Sequence, residues 1–191
     1  RLVLVLGSSP FYLVYDPSTG RCDRRPIPAA NPIVWYGTKT RDRLVLFERS
    51  ESKVLLLDEP DGVPRVVQCP YEGELAGGQL CSDGLIYGSM ADPARMVRFD
   101  PDAARFVDVN AAPLAEATLS GKFEHAGVLY SADSSRGRLL PLDMTSGKWL
   151  DPVPTPDHGQ VYGFIGAAFQ FGSCGCFCLS TYAHSSRLDR K

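Results

Sequence analysis

Three histidines and a set of carboxylates are the residues best suited to proton transfer in this sequence. His158 sits in Thr155-Pro156-Asp157-His158-Gly159 and His184 in Ala183-His184-Ser185, both in stretches rich in turn-forming residues. Imidazole titrates near neutral pH, so either histidine, paired with an acid such as Glu72, Glu74, Asp133 or Asp157, could act as a general acid or base. The third, His125 in Phe123-Glu124-His125-Ala126-Gly127, reads as a turn residue.

A second group could hold a ligand without reacting with it. Glu48, Arg49 and Glu51, then Asp92 and Arg95, then Asp133 and Arg136 recur in short polar segments between apolar ones. Guanidinium pairs bidentately with carboxylate or phosphate, so Arg49, Asp92, Arg95, Asp133, Arg136 and Asp157 are the expected contacts for a polar or anionic ligand. A solvated loop surface is the competing reading of the same residues. Cys174, Cys176 and Cys178 form a third group. Their i, i+2, i+4 spacing sets three thiols in a row on one strand face, and such a row cannot close tetrahedrally on zinc without a bend. They therefore read, with Cys22, Cys69 and Cys81, as small buried thiols, and no residue set is assigned to a metal. Six cysteines without regular spacing fit reduced thiols and lean towards a reducing compartment.

Several chemistries lose support. The sequence holds no phosphate-binding Gly-x-x-x-x-Gly-Lys-Ser/Thr loop, no Gly-x-Ser-x-Gly elbow and no His-Glu-x-x-His. Its 191 residues are 44% hydrophobic and 22% charged, the composition of a globular domain. A net charge of −2 leaves no basic surplus for a phosphate backbone, so nucleic acid is not an expected partner. Apolar runs such as Leu2 to Leu6 are far short of the roughly 20 residues of a membrane helix, so no membrane partner is expected either.

The elements that must position these groups come from an internal repeat. Aspartates follow short apolar segments at Asp16, Asp58, Asp100, Asp143 and Asp189, at steps of 42, 42, 43 and 46 residues. In the first four units the residues one and three before the Asp are apolar: Leu13 and Tyr15, Leu55 and Leu57, Val97 and Phe99, Leu140 and Leu142. That is strand alternation with a buried face. A small residue follows four places after each Asp, at Gly20, Gly62, Ala104 and Gly147, and a proline closes the unit at Pro28, Pro70, Pro113 and Pro156. The Asp-to-Gly segments read as hairpin loops in which the carboxylate accepts backbone N–H bonds and glycine supplies positive φ.

A further strand precedes each Asp-bearing one, as Leu2 to Leu6, Arg43 to Phe47, Leu85 to Tyr87, Val128 to Tyr130 and Phe177 to Leu179. A fourth, rich in small residues, lies around 33–37, 77–80, 119–123 and 161–167. Four short strands in about 42 residues, without helical periodicity, are the pattern of a β-propeller blade. The expected fold is therefore an all-β propeller of four-stranded antiparallel blades, with four to five blades in the chain. The expected units of one propeller domain are 1–28, 29–70, 71–113, 114–156 and 157–191. The first unit enters at its second strand, which implies that further blades or a partner segment complete the ring.

The unit of strand, loop, apolar-x-apolar-Asp-Pro-x-Thr-Gly, strand and proline resembles the blades of YVTN, virginiamycin B lyase-like, PQQ-like and SMP-30-like propellers. Residues 154–158, Pro-Thr-Pro-Asp-His, are similar to a blade-connecting segment of the virginiamycin B lyase-like enzymes. That resemblance implies His and Glu acid–base chemistry with Mg²⁺, although no matching pair is located in this sequence. Two functions follow. The favoured one is a binding or scaffold propeller that presents the loops at one end of the ring to a protein or small polar ligand. The alternative is a propeller lyase or hydrolase acting on a sugar, lactone or cyclic ester through His158 or His184, with a divalent metal as its one implied cofactor.

Overall fold

The computed structural model describes residues 1–5, 7–40, 43–60, 62–91, 93–109, 111, 113–115, 117–133, 136–154, 163–171 and 174–181, with backbone alone at 35–36 and from 163 onward. Among them there is no helix, and hence none long and apolar enough to cross a membrane. The chain divides into two compact units, 1–109 and 110–191.

The first unit holds three antiparallel sheets, each a simple meander. Sheet 1 comprises β1 (Leu2–Val5), β2 (Phe11–Asp16) and β3 (Arg21–Pro26). Sheet 2 comprises β4 (Val34–Lys39), β5 (Leu44–Glu48), β6 (Lys53–Leu57) and β7 (Arg65–Gln68). Sheet 3 comprises β8 (Glu74–Leu80), β9 (Ile86–Ala91), β10 (Arg95–Asp100) and β11 (Arg105–Val107). Sheet 2 lies between the other two, which explains why β5 and β6 are apolar at successive positions. Leu46, Leu55 and Leu57 join Tyr12, Val14, Ile27 and Val34 in one cluster. Val45, Phe47, Val54 and Leu56 join Leu75, Ile86, Val97 and Phe99 in another. Each such side chain taken out of water contributes about 1.5–3 kcal/mol. The Phe47 and Phe99 rings meet edge to face at 6.5 Å, in a preferred aromatic geometry.

The second unit holds β12 (Leu119–His125), β13 (Val128–Asp133), β14 (Arg138–Asp143), β15 (Lys148–Trp149) and β16 (Val153–Pro154), of which β16 also pairs with β14. A separate pair follows, β17 (Gly163–Phe171) and β18 (Cys174–Thr181).

Hairpin chemistry follows the sequence pattern in three repeats. Asp16 accepts the Ser18 N–H at 2.9 Å, Asp100 that of Asp102 at 3.0 Å, and Asp143 that of Thr145 at 2.9 Å. The residue four places on has positive φ in each, although Ala104 adopts 52° without being glycine. In the second repeat Asp58 instead pairs with Arg43 at 3.2 Å, and Gly62 donates to the Glu59 carbonyl.

The first strand of every described sheet other than sheet 1 carries a feature the sequence pattern did not disclose. Its register slips at residue 35 in β4, 77 in β8, 121 in β12 and 166 in β17. Three of these four bulge positions are glycine, the residue that accommodates an extra backbone unit most readily. The expectation that the thiols are buried needs one correction. Cys69 and Cys81 are buried, but Cys22 is exposed on β3, whose outer edge pairs with no other described strand.

Candidate functional site

The loops joining the second and third strands of sheets 2 and 3, and the connection between those sheets, lie at one end of the first unit. They begin at Glu48, the last residue of β5, which is fully buried. Its Oε1 accepts the N–H of Ile33 at 3.0 Å, the N–H of Ser50 at 2.7 Å and the Ser50 hydroxyl, and its Oε2 accepts the N–H of Glu51 at 3.0 Å. Burying a carboxylate is tolerable only with such saturation. The result ties the loop after β5 to the backbone that enters β4.

Ser52 extends the same wiring to sheet 3. It adopts φ of 51°, its carbonyl accepts the Cys69 N–H at 2.9 Å, its hydroxyl donates to the Gly73 carbonyl at 2.7 Å, and its Oγ accepts the Leu75 N–H at 3.0 Å. Above this clasp, Arg49 donates from Nε to Glu74 at 2.7 Å and again from Nη2. Glu51 pairs with Lys53 and accepts the Ala30 N–H at 2.8 Å; the ammonium first and the N–H second hold its carboxyl below the usual range. Arg95 stacks over the Tyr71 ring at 5.0 Å, a cation–π contact. Burial raises the Tyr71 phenol, and the Asp108 charge adds to that rise.

Arg49, Glu51, Lys53, Tyr71, Glu74 and Arg95 thus form a fixed polar ridge. It offers guanidinium, ammonium and carboxylate groups whose positions are set by their neighbours, which suits recognition of a polar ligand. Two expected ligand contacts, Arg49 and Arg95, belong to it. So does Glu74, whereas Glu72 is exposed in the adjoining connection. In the second unit Asp133 is 1% exposed, accepts the Thr118 N–H at 3.2 Å and is held by Arg138 at 2.9 Å. Arg136 is exposed and its N–H donates to the Asp133 carbonyl at 3.2 Å. His125, exposed, ends β12 before the two-residue turn Ala126-Gly127, both of positive φ. Asp92, Asp157, His158 and His184 lie outside the described residues, as do the side chains of Cys174, Cys176 and Cys178. Among the described residues no three His, Cys, Asp or Glu side chains gather as a metal site.

Sequence reasoning missed Lys53 and Tyr71 and placed Glu48 and Asp133 on a rim. The available signal was positional, since each ends the second strand of its repeat ten residues before the motif aspartate, Asp58 or Asp143.

No protein-family model matches the sequence, and no curated protein does. Solved structures do. A catalytically inactive virginiamycin B lyase from Staphylococcus aureus with quinupristin superimposes with a TM-score of 0.68 at 13% identity, over 87% of this chain and 59% of the lyase. A streptogramin B lyase gives 0.65 at 14% identity, over 84% and 52%. The sheets are β-propeller blades. A protein of unknown function from Bacteroides caccae gives 0.64 at 12% identity, over 98% of this chain and 71% of that one. The chain therefore spans little more than half the length of the two lyases, and at these identities the likeness shows the propeller fold alone.

Proposed function

We propose that this propeller segment is a binding module that holds a small polar ligand on the ridge over its second and third blades. The observation that supports the reading is the set of partners fixing that ridge. Arg49 is oriented by Glu74, Arg95 by Tyr71 and the connecting loop by Ser52, so recognition groups are ordered before a ligand arrives. Preorganisation of this kind lowers the entropy lost on binding.

The test is NMR titration with a panel of amino-acid carboxylates, sugar phosphates and quinupristin, followed by analysis of the recovered ligand. The reading expects shifts at the Arg49 and Arg95 guanidinium signals, abolished in Arg49→Ala and Arg95→Ala, with the ligand recovered unchanged. Shifts confined to other surfaces would overturn it.

A second reading, a lyase acting on a cyclic ester, is favoured by the two lyase structures among those the chain resembles. It assigns the proton transfers to His158 or His184 with a nearby carboxylate, and a divalent cation as the group that would polarise the ester. Conversion of quinupristin to a new product in the presence of Mg²⁺, lost in His158→Ala or in His184→Ala, would establish it in place of the first.

A further inference from the structure

Arg95 differs from four other half-buried arginines in what its guanidinium touches. Arg43 donates to the Pro101 carbonyl, Arg49 to Glu74, Arg98 to the Asp108 carbonyl and Arg138 to Asp133. Among the described residues Arg95 has no hydrogen-bond acceptor and no ion-pair partner; its guanidinium lies over the Tyr71 ring, 5.0 Å from the centroid. Tyr71 is half-buried as well, and its hydroxyl likewise has no hydrogen-bond partner among the described residues. Both groups are partly withdrawn from water, where an unpaired donor costs stability. An acceptor supplied from outside therefore gains more here than at an exposed arginine.

The two side chains are also held in place. The Ser52 carbonyl accepts the Cys69 N–H and its Oγ accepts the Leu75 N–H, so the connection that carries Tyr71 is pinned on both sides. The Tyr71 ring packs against the apolar cluster between sheets 2 and 3. Arg95 opens β10 and pairs with Met90 of β9, while Glu74 opens β8 on the other side of β9. Arg95 thus stands two strand spacings, roughly 10 Å, from the glutamate that engages Arg49. It is the part of the ridge whose donors still lack an acceptor.

Resting on the reading of the ridge as a binding surface, we infer that Arg95 and Tyr71 form its anion seat and that the ligand is a monocarboxylate. The carboxylate faces the Arg95 fork, and the Tyr71 hydroxyl donates to the same head group. A guanidinium matches a carboxylate with two parallel N–H bonds. Burial first, and the Asp108 charge second, keep the Tyr71 phenol protonated and able to donate near neutral pH. The same Asp108 acts against a second negative charge on the ligand, so a carboxylate is preferred to a phosphate dianion.

NMR titration of the whole chain near neutral pH with benzoate, benzamide and phenyl phosphate tests the inference. Benzoate saturates, shifting the Arg95 Nε and Tyr71 ring signals; benzamide, similar in shape but uncharged, and phenyl phosphate each bind at least about fivefold more weakly. Arg95→Gln weakens benzoate about tenfold, Arg95→Lys weakens it although the charge is kept, and Tyr71→Phe, which keeps the packed ring, weakens it about threefold. Benzamide or phenyl phosphate binding as tightly as benzoate, unchanged benzoate affinity in Arg95→Gln or Tyr71→Phe, or no saturable benzoate shift at Arg95 overturns it. Arg49→Gln separates this inference from the wider reading. Phenyl phosphate bound through Arg49, with no benzoate at Arg95, removes the monocarboxylate seat and leaves the ridge reading standing. Benzoate bound at Arg95 with unchanged affinity in Arg49→Gln supports the seat and removes the wider ridge.

Discussion

Glu48 and Asp133 occupy the same position of their two blades, and each carboxylate accepts the backbone N–H of the residue that precedes the blade's first strand. The contacts are Ile33 to Glu48 at 3.0 Å and Thr118 to Asp133 at 3.2 Å, and the register pairs Val34 with Glu48 and Leu119 with Asp133. The acid that closes one strand therefore fixes where its neighbour begins. Both side chains are buried, so this role takes them out of contact with solvent.

Replacing such an acid strands several polar groups away from water. Glu48→Ala leaves the N–H groups of Ile33, Ser50 and Glu51 to find other acceptors, and is expected to lower stability by about 2–3 kcal/mol. Glu48→Gln retains an acceptor oxygen and loses less. Urea denaturation reads the effect as a lower midpoint with an unchanged slope. A loss under about 0.5 kcal/mol, the scale of ordinary surface substitutions, would show that the contacts are dispensable.

Two glycines separate packing from backbone strain. A Cβ on Gly78 would stand 2.8 Å from Ile86 Cγ2 and 3.1 Å from the Phe47 ring, inside the core between blades 2 and 3. Gly78→Ala is expected to destabilise by about 1–3 kcal/mol through overpacking. Gly127 has open space around it but φ of 77°, so Gly127→Ala loses stability only through its backbone, by about 1 kcal/mol. Adding Phe47→Leu to Gly78→Ala should recover part of the loss, whereas the same change should not help Gly127→Ala. Thermal unfolding of the four variants checks both halves.

Thiol chemistry offers a third check. Cys22 is exposed, whereas Cys69 is buried, lies 3.7 Å from the Met90 sulfur and has its thiol pushed up by burial. The thiolate is the reactive form, so alkylation under native conditions should label Cys22 well before Cys69 or Cys81. Peptide mapping after brief iodoacetamide treatment measures this. Early labelling of Cys69 would mean that the blade 2 to blade 3 core opens readily.

The strand framework was legible because a blade states its alternation and its hairpin aspartate anew about every 42 residues. Asp16, Asp100 and Asp143 behave as that pattern requires. What escaped was information that depends on pairing between strands. The bulges at 35, 77, 121 and 166 are defined by the partner's register, so Gly77, Gly121 and Gly166 look in sequence like any small residue and Trp35 like any strand residue. Glu48 reads as a loop acid because only the fold shows that the Ile33 N–H points at it. Arg49 and Arg95 stand out in sequence as charged loop residues, yet their partners Glu74 and Tyr71 lie 25 and 24 residues away, beyond the reach of local patterning.

The hairpin aspartates also make acid sensitivity predictable in sign. The Ser18 hydroxyl and N–H, and then Arg1, hold the Asp16 carboxyl below the ordinary carboxylate value. The Ser146 hydroxyl, then the Thr145 and Ser146 N–H groups, do the same for Asp143. A carboxyl whose folded value is depressed adds stability that is present above its unfolded value of about 4 and lost as pH falls through the lower folded value. Stability contributed by these turns should therefore be flat from neutral pH down to about 5 and decline below about 4. Ser146→Ala should move the Asp143 titration up towards 4 and leave Asp16 unmoved, while Ser18→Ala does the converse. Carbonyl-carbon NMR titration of the two carboxyls resolves them separately. If neither serine variant shifts its own aspartate, the turn hydrogen bonds do not set these values, and the acid response must arise elsewhere in the blades.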